Sequence, residues 1–155
     1  MARYEFVTRW HLDAPIERVW EPIFHVQRWP DWWDGVKQVQ LLAQGEPDGV
    51  GALWRYTWES ALPYELAFDM RVTDVRAPVM LRGIASGELA GEGLWSLYRS
   101  EHGTFVRYDW NVCTTSAWMN ALAPLARPAF AWNHDVVMRQ GGEGLAQRLA
   151  MSAHG

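Results

Sequence analysis

The chain has 155 residues, of which 49% are hydrophobic and 21% are charged, and its formal net charge is −4. This balance excludes a disordered chain, and the negative charge gives no attraction for nucleic acid or an anionic membrane. The single cysteine excludes an internal disulfide and is typical of a reducing compartment, and no signal peptide or membrane-spanning apolar run is recognisable. We therefore expect one cytoplasmic domain over residues 1–155.

The amino-terminal part predicts a strand followed by two short helices. Residues 3–12 alternate in polarity with a period of two, as in a strand with one buried face. Residues 13–17 are typical of a helix start, and an apolar stripe continues to Phe24, although Pro22 predicts a short or kinked helix. Residues 27–35 predict a second short helix or turn that ends at Gly35.

The middle of the chain predicts six further strands. Strand-like patterns occur in residues 36–41, 51–59, 66–73, 80–87, 93–99 and 105–114, and turn residues separate several of them. Strands joined by short connections pair antiparallel. We therefore expect about seven strands in one antiparallel sheet.

The last forty residues predict a long helix. Pro124 and Pro128 interrupt the first part of the pattern, so the main helix is expected to start near Pro128. Three glycines, at positions 141, 142 and 144, weaken a helix by about 1 kcal/mol each relative to alanine, which indicates a close approach to the sheet or a kink. One face of the helix collects Phe130, His134, Val137, Met138, Gly141, Leu145 and Leu149.

This order of elements predicts an α+β fold rather than an alternating α/β fold. The apolar face of a single sheet must be covered, and the C-terminal helix is the only predicted element long enough to do so. A curved sheet wrapped on one long helix leaves a space between them, and such spaces usually hold ligands.

Several segments resemble the START-like, or helix-grip, superfamily, which includes polyketide cyclases and dehydratases, lipid-transfer domains and plant pathogenesis-related allergens. Residues 13–20 (DAPIERVW) are similar to its first-helix motif, residues 29–36 (WPDWWDGV) to the segment that leads into its second strand, and residues 49–51 (GVG) to the turn before its third strand. Residues 133–149 resemble its C-terminal helix. The resemblance implies a hydrophobic cavity between helix and sheet, without a cofactor and without one fixed reaction.

Tryptophan is unusually frequent, with 11 in 155 residues, and many large apolar residues alternate along the predicted strands. They are expected either to line the cavity or to fill it as a dense core, and the sequence does not separate these two interpretations. The predicted ligand-binding residues are Trp54, Tyr56, Trp58, Phe68, Met70, Ile84, Trp95, Tyr108, Trp110, Val137 and Met138.

His134 is the polar residue of greatest chemical interest, because it lies at the centre of the helix face directed at the sheet. In a cavity it could act as a general acid or base, while Asn133 and Arg82 could stabilise enolate charge. Arg82 shares a predicted strand face with Met80 and Ile84, so an inward orientation is one interpretation of this position. The alternatives are a hydrogen-bonded core histidine and a surface arginine. Scattered histidines and one cysteine predict no metal site.

Three functions therefore stay open. The first is binding of a small hydrophobic or aromatic molecule, the second is a polyketide cyclase- or dehydratase-like enzyme, and the third is a structural or interaction domain with a filled core. A homodimer could also form through Trp132 and Val136 on the outer helix face, with Trp20 and Trp29 nearby.

Overall fold

A computed structural model describes residues 3–59 and 65–153 of the chain. Two helical segments follow the first strand, namely α1 and a short 3-10 helix, and a long helix ends the fold. In chain order the elements are β1 (Arg3–Leu12), α1 (Ile16–Phe24), the 3-10 helix (Val26–Asp31), β2 (Val36–Ala43), β3 (Leu53–Glu59), β4 (Glu65–Arg76), β5 (Met80–Gly87), β6 (Leu89–Ser100), β7 (Gly103–Thr114) and α2 (Ala117–Ala153). The predicted order of elements is confirmed.

The strands form one seven-stranded antiparallel sheet in the order β1-β7-β6-β5-β4-β3-β2. Strand β7 has long pairings with both of its neighbours, because β1 pairs with it along all ten of its residues and β6 pairs with it from Leu89 to Ser100. Register shifts interrupt the β2–β3 and β4–β5 pairs, and such irregularities bend a sheet. The sheet curves around α2 as the sequence predicted.

Strand β5 corrects two orientations expected from the sequence. Arg82 and Ile84 lie on the outer face of the sheet, where Ile84 is 49% exposed, so their predicted inward orientation is wrong. The Arg82 guanidinium forms an ion pair with Glu92 and lies 3.6 Å from Asp74. Residues 81, 83 and 85 instead point to the interior. The register of β5 with β4 and β6 determines which of its two faces is buried.

Helix α2 is continuous from Ala117 to Ala153, so the predicted start near Pro128 is wrong. Pro124 and Pro128 both lie within the helix on its exposed side. A proline removes the donor for the carbonyl one turn earlier, which costs about 3 kcal/mol in a buried helix interior. On the exposed side, however, water can supply the missing donor. Met119 and Phe130, on either side of the two prolines, line the cavity wall, so this part of α2 also packs towards the sheet.

The glycines of α2 allow the helix to approach the aromatic segment before β2. A Cβ on Gly141 would lie 2.4 Å from the indole of Trp33, and a Cβ on Gly144 would lie 1.7 Å from the carbonyl oxygen of Trp32. Any side chain at these positions would therefore push the helix away. The close approach expected from the glycines is confirmed, with these tryptophans and not a bare strand as the nearest partners.

Hydrogen bonds from two indoles hold the same part of α2. Trp33 Nε1 donates to the Val137 carbonyl oxygen at 2.8 Å, and Trp10 Nε1 donates to the Met138 carbonyl oxygen at 3.1 Å. One turn from the C-terminal end, the Arg18 guanidinium donates to the Leu149 carbonyl oxygen at 2.9 Å. The second half of α2 is thereby fixed to α1, β1 and the segment before β2.

The four residues expected to form a homodimer surface do not lie together on the outside of the protein. Trp20 and Trp29 belong to the core, with 8% and 4% of their surface exposed, because they lie on the buried faces of α1 and the 3-10 helix. Trp132 is exposed on α2 and Val136 is half-buried. Their placement with the two core tryptophans on one outer patch is therefore wrong. Within residues 3–59 and 65–153, no helix is both long and apolar enough to cross a membrane.

Candidate functional site

An apolar cavity of about 130 Å³ lies between the inner face of the sheet and α2. Its wall combines residues of β1, β3, β4, β6 and β7 with residues of α2 and the segment around Trp29 and Trp33. A cavity of about 150 Å³ lined by apolar side chains can hold a benzene molecule. The space here is therefore close to the size of a cavity that holds a single aromatic ring.

The structure places the predicted ligand-binding residues in four different environments. Tyr56 and Met70 line a second, smaller space of about 40 Å³. Trp54 is half-buried and is not among the described residues that line either space, and Ile84 lies on the outer face. The residues that do line the larger cavity are Trp58, Phe68, Trp95, Tyr108, Trp110, Val137 and Met138. Their part in binding a ligand stays a prediction.

Other parts of the wall were not predicted, and strand β1 contributes the most informative of them. Tyr4 and Phe6 face the cavity, and their Cα partners on β7 are Val112 and Trp110. The alternation of β1 already placed Tyr4 and Phe6 on one face. Only the pairing of the first strand with the last shows that this face lies beside α2, where Phe130 completes the wall.

Packed aromatic rings separate the two spaces. Trp29 stacks on Tyr56 with ring centroids 5.4 Å apart, and Trp95 stacks on Tyr108 at 4.1 Å. Trp33 meets Trp58 edge-to-face at 5.1 Å. Both interpretations of the tryptophan content are therefore partly correct. The aromatic rings pack densely against one another, and several of the same rings form a wall of the open cavity beside α2.

His134 extends from α2 into the cavity wall and stacks on Phe6 of β1. The two ring centroids are 4.0 Å apart and the ring planes differ by 13°. Both imidazole nitrogens are shielded from solvent, and no described residue forms a hydrogen bond with either. Burial lowers the pKa of His134 from 6.5 to about 4, against a weaker opposing effect of Asp135. At neutral pH the imidazole is therefore uncharged and presents one donor and one acceptor.

Tyr4 supplies a second buried polar group to the same wall. It is 5% exposed, and its hydroxyl has no hydrogen-bond partner among the described residues. Burial raises the pKa of Tyr4, while the guanidinium of Arg127, 4.6 Å from the ring centroid, opposes this shift. The hydroxyl therefore stays protonated at neutral pH. Trp58 Nε1 also lines the cavity and is likewise buried without a described partner.

The structure brings together two of the three predicted chemical residues. His134 and Asn133 both line the cavity, whereas Arg82 pairs with carboxylates on the outer face of the sheet. None of the described residues that line the cavity is an aspartate, glutamate, lysine or arginine. Nowhere in the described ranges do three His, Cys, Asp or Glu side chains gather to hold a metal ion.

Comparison with known proteins reveals relatives by fold but none by sequence. No protein-family model matches the chain, and no curated protein matches it at a significant level. Among solved structures, TTHA0849 from Thermus thermophilus is similar with a TM-score of 0.81 and 16% identity, over 96% of this chain and 99% of that chain. The Zhui aromatase/cyclase from Streptomyces sp. R1128 is similar with a TM-score of 0.75 and 15% identity, over 96% and 94% of the two chains.

A further solved structure extends the likeness to Ara h 8.0201, with a TM-score of 0.67 and 10% identity over 97% of this chain and 99% of that chain. Together these structures define the class by fold: the chain has the helix-grip fold, as its order of elements and its motifs predicted. At such low identities the likeness concerns the fold alone. The chemistry of this chain has to be argued from its own residues.

Proposed function

We propose that the chain binds a small hydrophobic or aromatic molecule in the cavity between the sheet and α2. The observation that supports this most directly is an apolar space of about 130 Å³ that is lined largely by aromatic side chains. A ligand that fills the space recovers the contacts that the lining side chains lack.

The volume limits the size of the ligand. The volume is close to what a single aromatic ring needs, whereas a lipid- or polyketide-like molecule requires several side chains to move. The aromatic packing of Trp29 on Tyr56 and of Trp95 on Tyr108 opposes such movement in this part of the wall. Single-ring compounds are therefore the appropriate first ligands.

A polyketide cyclase- or dehydratase-like enzyme is the second candidate, and His134 is the observation in its favour. The imidazole lies in the cavity with both nitrogens unpaired among the described residues, and Asn133 lies next to it in the wall. A general base works best when its pKa is close to the working pH. Because the pKa of His134 is about 4, the imidazole is a weak base at neutral pH, and binding is better supported than proton transfer.

A matched pair of variants tests the binding function. Val112→Phe adds a ring at a buried position of the cavity wall, and Val7→Phe adds the same ring on the exposed face of β1. Toluene and phenol are titrated into each protein, and the indole N–H signals are followed by NMR. We expect binding to the wild type and to Val7→Phe, and at least tenfold weaker binding to Val112→Phe. The proposal fails if neither compound binds, or if filling the cavity leaves binding unchanged.

A further inference from the structure

We propose that the cavity selects an uncharged single-ring aromatic compound that carries a hydroxyl or carbonyl group, which forms hydrogen bonds with Tyr4 and His134. This inference rests on the proposed binding function and adds the class of ligand. It concerns the polar atoms of the wall, whereas the binding function itself depends on its apolar volume.

The first step is the position of the unpaired polar atoms. More than nine in ten buried polar groups in proteins have a hydrogen-bond partner. Five buried side-chain nitrogen and oxygen atoms of the described residues have none, and four of these five belong to the wall of this one cavity: Tyr4 Oη, Trp58 Nε1, and Nδ1 and Nε2 of His134. The clustering of unpaired polar atoms in one wall indicates that their hydrogen-bond partner is a polar group of a bound molecule.

The second step is the orientation that packing imposes on these atoms. Phe6 stacks on the imidazole at 4.0 Å and also lies beside the Tyr4 ring at 5.8 Å. Phe130 packs edge-on against Tyr4 at 5.8 Å, one turn before His134 on the same face of α2. These neighbours are apolar and offer no partner in exchange. The two side chains therefore keep their hydrogen-bonding capacity for the contents of the cavity.

The third step is the chemistry of the matching group. The neutral imidazole and the tyrosine hydroxyl each provide one donor and at least one acceptor, and the indole provides a donor only. A ligand oxygen can accept from these donors, and a ligand hydroxyl can also donate to an acceptor. No described residue that lines the cavity is cationic, and the nearby Arg127 guanidinium packs over the Tyr4 ring and donates to the Arg3 carbonyl oxygen, so a buried carboxylate would meet no cation in the wall itself. The preferred ligand is therefore polar at one point and uncharged.

The volume supports the same conclusion. A volume of about 130 Å³ is close to that of a cavity that holds one aromatic ring, so there is no room for a second ring that would add affinity through apolar contact alone. The polar substituent consequently decides which of several compounds of equal size binds best. If ordered water already paired with the same atoms, a polar ligand would gain nothing by replacing it, and phenol would bind no more tightly than toluene.

The test compares phenol, toluene and benzoate at neutral pH by NMR titration of the wild-type protein. Phenol and toluene have the same number of non-hydrogen atoms, so they differ in the hydroxyl and not in the volume that they fill. We expect phenol to bind about tenfold more tightly than toluene, and benzoate to bind at least tenfold more weakly than phenol. This comparison needs no variant and does not depend on the folding of one.

Two variants then assign the effect to its residues. Tyr4→Phe removes only the hydroxyl, and His134→Phe keeps a ring that can stack on Phe6. Each is expected to weaken phenol binding by about five- to tenfold and to leave toluene binding unchanged. Tyr98→Phe is the matched control, because Tyr98 lies exposed on the outer face of β6 and should leave both affinities unchanged.

The possible outcomes separate the two proposals. If no compound binds to the wild type, the binding function itself is refuted. If toluene binds at least as tightly as phenol, or if both variants change the two affinities equally, the role of Tyr4 and His134 is refuted and the binding function survives. If benzoate binds as tightly as phenol, the selection of an uncharged ligand is refuted, and the binding function again survives.

Discussion

The docking of α2 predicts a graded response to alanine at its three glycines. Gly→Ala in an exposed helix stabilises a protein by about 1 kcal/mol, because alanine is the better helix former. Here the added methyl group meets a neighbour in each case. The closest distances are 2.9 Å to the Trp10 indole from position 142, 2.4 Å to the Trp33 indole from position 141, and 1.7 Å to the Trp32 carbonyl oxygen from position 144.

The type of neighbour sets the size of the effect. At Gly142 the half-buried Trp10 ring can shift, so the clash and the helix preference nearly cancel and the loss of stability is about 0–1 kcal/mol. At Gly141 the fully buried Trp33 ring must move and its hydrogen bond to α2 is strained, so the loss is about 2 kcal/mol. At Gly144 the neighbour is backbone, which cannot rotate away, and the expected loss is about 3 kcal/mol or more.

Urea unfolding followed by far-UV circular dichroism measures the three free energies of unfolding without relying on tryptophan fluorescence. Gln147→Ala, at an exposed position of α2, is the control and should stay within about 0.5 kcal/mol of the wild type. An increase in stability for Gly144→Ala, or a reversed order of the three variants, would show that α2 does not lie against the tryptophans as described.

Two further predictions concern buried polar groups. Burial lowers the pKa of His134 from 6.5 to about 4, so its contribution to stability is complete above pH 6.5 and is lost as the pH falls towards 4; this amounts to about 3 kcal/mol. His134→Phe should therefore lose less stability between pH 7 and pH 4 than the wild type in urea unfolding, and an equal loss would contradict the burial of a neutral imidazole. Thr104 is fully buried and donates from Oγ1 to the Ala14 carbonyl oxygen at 2.8 Å, so Thr104→Val should cost about 1–2 kcal/mol in the same measurement, whereas an unchanged stability would mean that water replaces this bond.

Local sequence patterns were sufficient for most of the elements. The period of two in residues 3–12 coincides with strand β1 (Arg3–Leu12), because alternation in a strand depends only on neighbouring residues. The apolar stripe that ends at Phe24 coincides with the end of α1 in spite of Pro22. The order of the elements and the family motifs together were then enough to predict the helix-grip fold.

The candidate site was predictable only in part, because it is made by contacts between distant segments. The apolar faces of β6, β7 and α2 contribute wall residues that the sequence predicted, such as Trp95, Tyr108 and Val137. Tyr4 was missed, although it carries one of the unpaired polar atoms on which the proposed selectivity depends. Its position beside α2 follows from the pairing of the first strand with the last, which no local pattern contains.

The sequence alone therefore determined which segments become strands and helices and which fold they build, since these depend on spacing and turn chemistry along the chain. Tertiary structure alone decided which face of β5 points inward, because Arg82 and Leu81 alternate equally well until β4 and β6 set the register. It also decided that α2 continues through Pro124 and Pro128, since only packing shows that both rings lie on the exposed side. The division has one physical reason: spacing records the period of a strand or helix, whereas the direction of its faces depends on what packs against it.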